Sequence, residues 1–260
     1  EKVLDQEAGS LDIKTMEYHM TGRELTRFDF VSPAADSTET PLLSVQNLTL
    51  LNKFEDVSFD MLKGEVIGIT GLLGCGRTEL ALALFGEMPA DSGKIILDGK
   101  AVTIRSIQDS MRHGFGYVPE DRVREGLFLE RSISHNLAVT TIRTLRTRAR
   151  LLNNGAIDAL AENWIGRLGV KAASAELPVK SLSGGNQQRI VLAKWLASKP
   201  RVLILNSPTV GVDVGSKADI HALIRRLAGE RMGVLLISDD IPELMRTCDR
   251  VLLMRQGRVA

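Results

Sequence analysis

The sequence is poor in cysteine and aromatic residues, and neither sign of charge is in excess. Its 260 residues include only two cysteines, too few for a disulfide framework or a four-cysteine zinc site. Lysine and arginine number 33 against 32 aspartates and glutamates, so the net charge of +1 lacks the field expected of a nucleic-acid binder. No apolar run approaches the roughly 20 residues of a transmembrane helix. These absences predict a globular chain in a reducing compartment, with no nucleic-acid partner.

Residues 1–40 differ in composition from the rest of the chain. Residues 12–25 predict one helix with Ile13, Met16 and Met20 on one side, and residues 28–40 have the Ser, Thr, Asp, Ala and Pro content of a linker. A lone helix followed by a linker has little core of its own. We therefore expect this helix to pack on something outside the segment.

Strand patterns alternate with helix patterns from residue 43 onward. Residues 44–50 alternate apolar and polar side chains, and residues 94–102 form a hairpin pattern around an Asp-Gly turn. Residues 202–205 and 234–237 are short and wholly apolar, as in parallel strands that are buried on both faces. Residues 121–181 favour helix. The sequence therefore predicts an α/β core.

A glycine-rich segment, GLLGCGRT at residues 71–78, lies between an apolar strand and a helix. This is the context of a phosphate-binding loop, because glycines let backbone amides approach phosphate and the helix start is positive. Thr78 stands where a hydroxyl would contact magnesium. Arg77 replaces the usual lysine, keeping the charge but not the geometry. The residues expected to bind phosphate are Gly71, Leu72, Gly74, Cys75, Gly76, Arg77, Thr78 and Glu79.

Two other interpretations of this segment are open. It is also compatible with a glycine-rich turn that holds no ligand. The glycines loosely resemble the dinucleotide loop of short-chain dehydrogenases, but the spacing is one residue short. Neither Tyr18 nor Tyr117 is followed by a lysine four residues later, so the catalytic pair of that family is missing.

The segment LSGGNQQR, residues 182–189, resembles the signature of ATP-binding-cassette (ABC) ATPases. Ser183, Gly184 and Gly185 stand at the start of a predicted helix, a position suited to an anion. The resemblance implies that they hold the γ-phosphate of a nucleotide bound by the opposite cassette. Asn186 and Gln187 belong to the same signature.

Other segments match the same family in order. Residues 203–205 lead to the Walker B position, YVPEDR contains the Q-loop position at Glu120, and GVDVGSKADI contains Asp213, expected at the cassette interface. Together with GRTELALALFG and REGL, these resemble the second cassette of double-cassette monosaccharide importers. Residues 20–25 are similar to the end of the first cassette.

The resemblance implies an α/β P-loop NTPase fold with a defined division of the chain. Residues 1–40 would be the tail of a preceding cassette plus a linker, and residues 41–260 the nucleotide-binding domain. That domain would have an antiparallel β subdomain near 43–66 and 94–104, and a helical subdomain at about 121–181.

Four positions depart from the pattern of a working ATPase. Asn206 and Ser207 stand where Walker B offers an aspartate for magnesium and a glutamate for the attacking water. Ser238 occupies the position of the switch histidine, and Glu120 replaces the Q-loop glutamine. No catalytic residue is therefore intact, and we expect the chain to bind nucleotide weakly and hydrolyse it poorly. Its signature would complete the site of the other cassette.

The cofactors implied by the resemblance are ATP and Mg²⁺. The implied partners are the other cassette, a transmembrane permease and, indirectly, a periplasmic sugar-binding protein, which places the chain in the cytoplasm on the inner face of the membrane. Two functions compete with sugar import. One is a catalytically dead cassette with a regulatory or scaffolding role, and the other, more remote, is an NAD(P)-dependent dehydrogenase.

Overall fold

The computed structural model describes residues 40–147 and 149–260. The helix predicted over residues 12–25 and almost all of the predicted linker lie outside these residues. The described strands are β1 (Leu43–Leu50), β2 (Phe54–Met61), β3 (Val66–Gly71), β4 (Ser92–Leu97), β5 (Lys100–Val102), β6 (Phe115–Val118), β7 (Val202–Asn206), β8 (Gly233–Ile237), β9 (Arg250–Arg255) and β10 (Arg258–Val259). The described α-helices are α1 (Arg77–Phe85), α2 (Ile107–Arg112), α3 (Ile133–Ala138), α4 (Asn154–Leu168), α5 (Gly184–Leu196), α6 (Val214–Gly229) and α7 (Ile241–Thr247).

The strands form two sheets. One sheet has the order β10-β9-β3-β8-β7-β6 and is parallel except for the last short strand, β10. Every residue of β7 and β8 is buried, as the apolar runs predicted, and so is every residue of β6. The other sheet is antiparallel, with the order β2-β1-β4-β5, and it buries the alternating apolar residues of β2. The predicted α/β class and the antiparallel strands are confirmed.

The helices follow local signals, with one clear difference. Ser106 caps α2, since its side chain accepts the Asp109 N–H. The apolar pattern of the sequence predicts a helix from Ile220 to Ala228, whereas α6 begins six residues earlier, at Val214. Asp213 accepts the Ser216 N–H and so starts the helix through a stretch whose glycine and serine concealed it.

The region 121–181 is less helical than its composition suggested. It contains α3, α4, a π-helical turn at Arg122–Gly126 and short 3₁₀ turns at Val139–Thr141 and Val179–Ser181. Its assignment as a separate subdomain stays a prediction. In the part of the chain that the structure covers, no helix has the length and apolar character needed to span a membrane.

The parallel sheet brings four loops to one edge. Ile69 of β3 and Asn206 of β7 both pair with Ile237 of β8, and Val118 of β6 pairs with Leu205 of β7. The carboxyl ends of these four strands therefore lie side by side, where α/β sheets bind their ligands. The loops that follow them begin at residues 72, 119, 207 and 238.

Helix α5 carries a buried lysine near its carboxyl end. Lys194 is only 6% exposed, and its ammonium donates a hydrogen bond to the Gly126 carbonyl at the end of the π-helical turn. The ammonium also lies 5.5 Å from the ring centre of Trp195, one of the two tryptophans that pack in the interior. Desolvation lowers the pKa of Lys194 to about 8.

This burial predicts an unusual alkaline stabilisation. Between about pH 8 and the ordinary lysine value of 10.5, the unfolded chain holds a proton that the folded chain has lost, so stability rises with pH. The total contribution is roughly 3 kcal/mol. In Lys194→Met, urea unfolding at pH 8, 9 and 10 should show a smaller rise. The exposed Lys171→Met serves as the control and should match the wild type; equal slopes in all three proteins would contradict the prediction.

Candidate nucleotide-binding site

The phosphate loop (residues 71–78) is held by three glycines with positive φ. Gly71, Gly74 and Gly76 have φ angles of 155°, 78° and 97°. A Cβ added at Gly76 would lie 2.6 Å from the Lys53 carbonyl oxygen, and one added at Gly71 would lie 2.2 Å from the Met254 carbonyl oxygen. Both positions therefore require glycine. A Cβ at Gly74 would meet no atom within 4 Å, so this part of the loop is open.

The other side chains of the loop point in different directions. Cys75 is buried, and its N–H donates to the Leu72 carbonyl at 3.0 Å, which closes a tight turn. Leu72 and Leu73 are 85% and 97% exposed. Thr78 is half-buried in the first turn of α1, and the Glu79 carboxylate lies 3.3 Å from the Lys53 ammonium. Of the residues expected to bind phosphate, Glu79 is therefore engaged elsewhere.

Arg77 folds back onto the loop. Its side chain is 9% exposed, and its guanidinium donates to the Gly71 carbonyl at 2.8 Å and to the Asp239 carboxylate. The hydrogen bond with Asp239 raises the pKa of Arg77, and the same bond lowers the pKa of Asp239. The positive charge of the loop is thus paired with a carboxylate from the loop after β8.

Asp239 is the residue that reaches the phosphate loop from this strand end, one position after Ser238, which is expected at the switch position. The Ser238 hydroxyl donates to Glu243 and accepts the Asp240 N–H at 3.0 Å. It is therefore committed within the protein, because the residue directly after β8 still points into the core. The sequence signal for Asp239 was an acid pair, Asp239-Asp240, after a buried strand.

A buried carboxylate, Glu243, joins the elements around this edge. It is 3% exposed and accepts hydrogen bonds from Thr209 Oγ1 at 2.9 Å and from the Ser238 hydroxyl, while His221 Nε2 lies 2.7 Å from its Oε1. Desolvation raises the pKa of Glu243, but the hydrogen bonds from His221 and Ser238 outweigh it and the pKa falls below the usual value. Glu243 therefore fixes the loops after β7 and β8 against α6.

The carboxyl end of β7 offers no charge to a metal. Asn206 is 2% exposed, and its Nδ2 lies 3.5 Å from the Tyr117 hydroxyl oxygen, whose pKa burial raises to about 12. Its Oδ1 is buried and has no hydrogen-bond partner within residues 40–147 and 149–260. Ser207 is 6% exposed, has φ 48° and donates its N–H to the Ile237 carbonyl.

These groups fit nucleotide phosphates better than they fit a tightly held magnesium ion. The loop amides and Arg77 suit phosphate, while the neutral oxygens of Thr78 and Asn206 suit magnesium only when phosphates supply most of its ligands. No cluster of three or more metal-binding side chains occurs in the described chain. Glu120 is exposed at the neighbouring loop.

The signature residues Ser183, Gly184 and Gly185 lie at the start of α5, and we call them the signature tip. Ser183 is exposed and precedes α5, and its hydroxyl accepts a hydrogen bond from Asn186 Nδ2 at 2.9 Å. Gln187 Nε2 donates to the Leu182 carbonyl at 3.2 Å. Gly184 is half-buried and Gly185 is buried, so Ser183 is the residue of the signature tip that is exposed.

Two side chains tie the signature tip to neighbouring loops. Asp213 accepts both the N–H and the hydroxyl of Ser216, which lower its pKa, and the Ser216 hydroxyl would lie 2.3 Å from a Cβ added at Gly185. Arg122 donates to the carbonyls of Val210 and Gly211 at 2.9 and 3.0 Å. The role of Arg122 was not predicted, although it lies within the YVPEDR motif.

Comparisons with known proteins agree with this arrangement. A family model described as ABC transporter matches residues 54–210, more than half of the chain. The ribose import ATP-binding protein RbsA 2 of Rhizobium etli is 43% identical over 242 residues, 93% of this chain and 48% of that protein. The protein of the same name from Streptomyces avermitilis is 46% identical over 217 residues, 84% of this chain and 43% of that protein.

A solved structure shows the same fold. CbiO1 from Clostridium perfringens, described as part of the ABC transporter complex cbiONQ, is 25% identical and has a TM-score of 0.71 over 85% of this chain and 88% of that one. The chain spans about half the length of the curated relatives it matches. The loop, the signature and these matches lead to one conclusion: the chain belongs to the ABC transporter family and has the P-loop fold of its ATP-binding cassettes.

Proposed function

We propose that this chain is a cassette of a sugar importer that binds nucleotide at its own degenerate site and completes the hydrolytic site of a partner cassette. The curated relatives are named as ribose import ATP-binding proteins, which supports the sugar class. The observation that carries the division of labour is the contrast between two features. Ser183 of the signature tip is exposed, whereas Asn206 and Ser207 stand at the end of β7 in place of carboxylates.

The phosphate loop and the signature tip would contribute to different steps. The amides of the phosphate loop and the start of α1 hold phosphate, and Arg77 supplies the only positive side chain within that loop. Bound Mg²⁺ neutralises phosphate charge in such sites. Asn206 has no charge to orient the ion, and Ser207 is no base for water, although a positioned base contributes about 10²–10⁴-fold in rate. Chemistry at this loop is therefore slow.

The signature tip acts at the nucleotide-binding site of the partner cassette. Its amides and the Ser183 hydroxyl would hold the γ-phosphate bound by the partner, and Asp213 and Arg122 keep the adjoining loop in place. A permease subunit would contact the cassettes at the inner face of the membrane and respond to the conformational change that accompanies their ATP hydrolysis. A periplasmic binding protein would deliver the sugar.

Nucleotide binding through the phosphate loop is tested by a pair of glycine variants. Gly76→Ala introduces a Cβ 2.6 Å from a backbone oxygen at φ 97°, so it should distort the loop and weaken ADP binding at least about ten-fold. Gly166→Ala lies within α4, where a Cβ meets nothing within 4 Å, and should bind as the wild type does. The measurement is calorimetric titration of the folded proteins. Equal ADP affinity for Gly76→Ala and the wild type would contradict binding at this loop.

A catalytically dead scaffold is the second candidate, favoured by one observation. The Asp239 carboxylate already pairs with Arg77, which reduces the charge available to a phosphate. The scaffold function requires that a partner's hydrolysis be indifferent to Ser183, whereas the composite-site function requires the opposite.

A further inference from the structure

Asp239 lies in the loop after β8 and contacts the phosphate loop through Arg77. Sheet order sets β8 between β3, which leads to the phosphate loop, and β7, which ends at Asn206. The loop after β8 therefore lies between the phosphate loop and Asn206 and Ser207, the positions at which an active cassette binds magnesium and activates water. Asp239 enters this space with a carboxylate whose side chain is 71% exposed.

The partner of this carboxylate is the cation of the phosphate loop. The same Arg77 nitrogen that donates to the Gly71 carbonyl also donates to Asp239. The adjacent acid, Asp240, is used differently, because it caps α7 through the Glu243 N–H and lies 3.5 Å from the Lys217 ammonium. Asp239 is thus the residue of this loop that places a negative charge on the guanidinium.

We propose that Asp239 makes this site select nucleoside diphosphates over triphosphates, an inference that rests on the proposed function. A carboxylate on Arg77 takes the position of an added phosphate and repels its charge, since like charges at contact distance oppose each other. The loop amides are not involved in this contact and remain for the inner phosphates. A site of this kind holds ADP as a fixed ligand.

The test is the ratio of ATP to ADP affinity, measured by calorimetry with Mg²⁺ for the wild type, Asp239→Asn and Asp239→Ser. We expect the wild type to bind ADP about ten-fold more tightly than ATP, and both variants to raise the ATP-to-ADP affinity ratio about ten-fold by removing one charge. Glu130→Gln removes an exposed carboxylate that pairs with Lys180 outside the site, and it should keep the wild-type ratio. Circular dichroism shows whether each variant is folded. Two different substitutions at Asp239 are used so that a local structural defect in one of them cannot by itself account for the result.

The outcomes separate the two proposals. A wild type that prefers ATP, or variants that leave the ratio unchanged, would overturn the selectivity while leaving nucleotide binding intact. If the variants bound ATP and ADP more tightly by the same factor, the selectivity would also be overturned, because Asp239 would then only reduce the charge that Arg77 offers to either nucleotide. Failure of every protein to bind either nucleotide would overturn the proposed function itself.

Discussion

Asn206→Asp combined with Ser207→Glu is expected to raise ATP turnover by the isolated chain about 10²-fold. The aspartate would supply the charge that orients magnesium, and the glutamate a base for the attacking water. The buried, unpartnered Asn206 Oδ1 marks the place where the first of these groups would act. Steady-state release of phosphate with Mg²⁺ measures the gain.

The same substitutions have a structural cost. Asn206 and Ser207 are 2% and 6% exposed, so both new carboxylates would be buried when no metal is bound. We therefore expect a lower melting temperature without nucleotide. Asn206→Asp alone is the control, because it restores the metal ligand without the base and should give little turnover. A folded double variant with unchanged turnover would show that these two positions do not limit the rate.

Ser183→Glu is expected to reduce the turnover of a competent partner cassette at least about 10²-fold. The new carboxylate would stand at the signature tip, where it would repel the γ-phosphate that the tip is proposed to hold and remove a positioned donor. Because Ser183 is exposed and makes no cap hydrogen bond to the described helix backbone, the fold should tolerate the change. ATP hydrolysis by the paired cassettes is the measurement.

A matched control separates the added charge from its position. Asn154→Glu places the same charge at the exposed start of α4 and should leave the partner's turnover unchanged. ADP binding by the Ser183→Glu chain should equal that of the wild type, since the phosphate loop is a separate feature. If the partner hydrolyses ATP equally well with Ser183→Glu, the scaffold function is favoured and the composite site is contradicted.

The fold was predictable because its signals are local. Wholly apolar runs identified β7 and β8, and the glycine-rich turn identified the join between β3 and α1, so the P-loop fold class is confirmed. Phe54, Trp164 and Trp195 are buried, as large aromatic side chains of a globular core usually are. Strand and helix patterns repeat every two and every 3.6 residues. They therefore involve residues that are close together in the chain, and they can be recognised from the sequence alone.

The site was less predictable because its contacts join distant segments. Glu243 meets partners from the loop after β7, from α6 and from the end of β8, and no local pattern announces a cluster assembled in this way. The sequence indicates Ser238 at the switch position, and this assignment stays a prediction, while the next residue, Asp239, is the one that contacts Arg77. The direction of a side chain at a strand end depends on the turn that follows, and here that turn buries Ser238 against Glu243.

Steady-state ATP hydrolysis tests the central claim most directly, measured with Mg²⁺ for the isolated chain, for a competent partner cassette and for their equimolar mixture. The account predicts background turnover for the isolated chain and stimulation of the partner in the mixture. Rapid, magnesium-dependent turnover by the isolated chain that Arg77→Ala abolishes would contradict it.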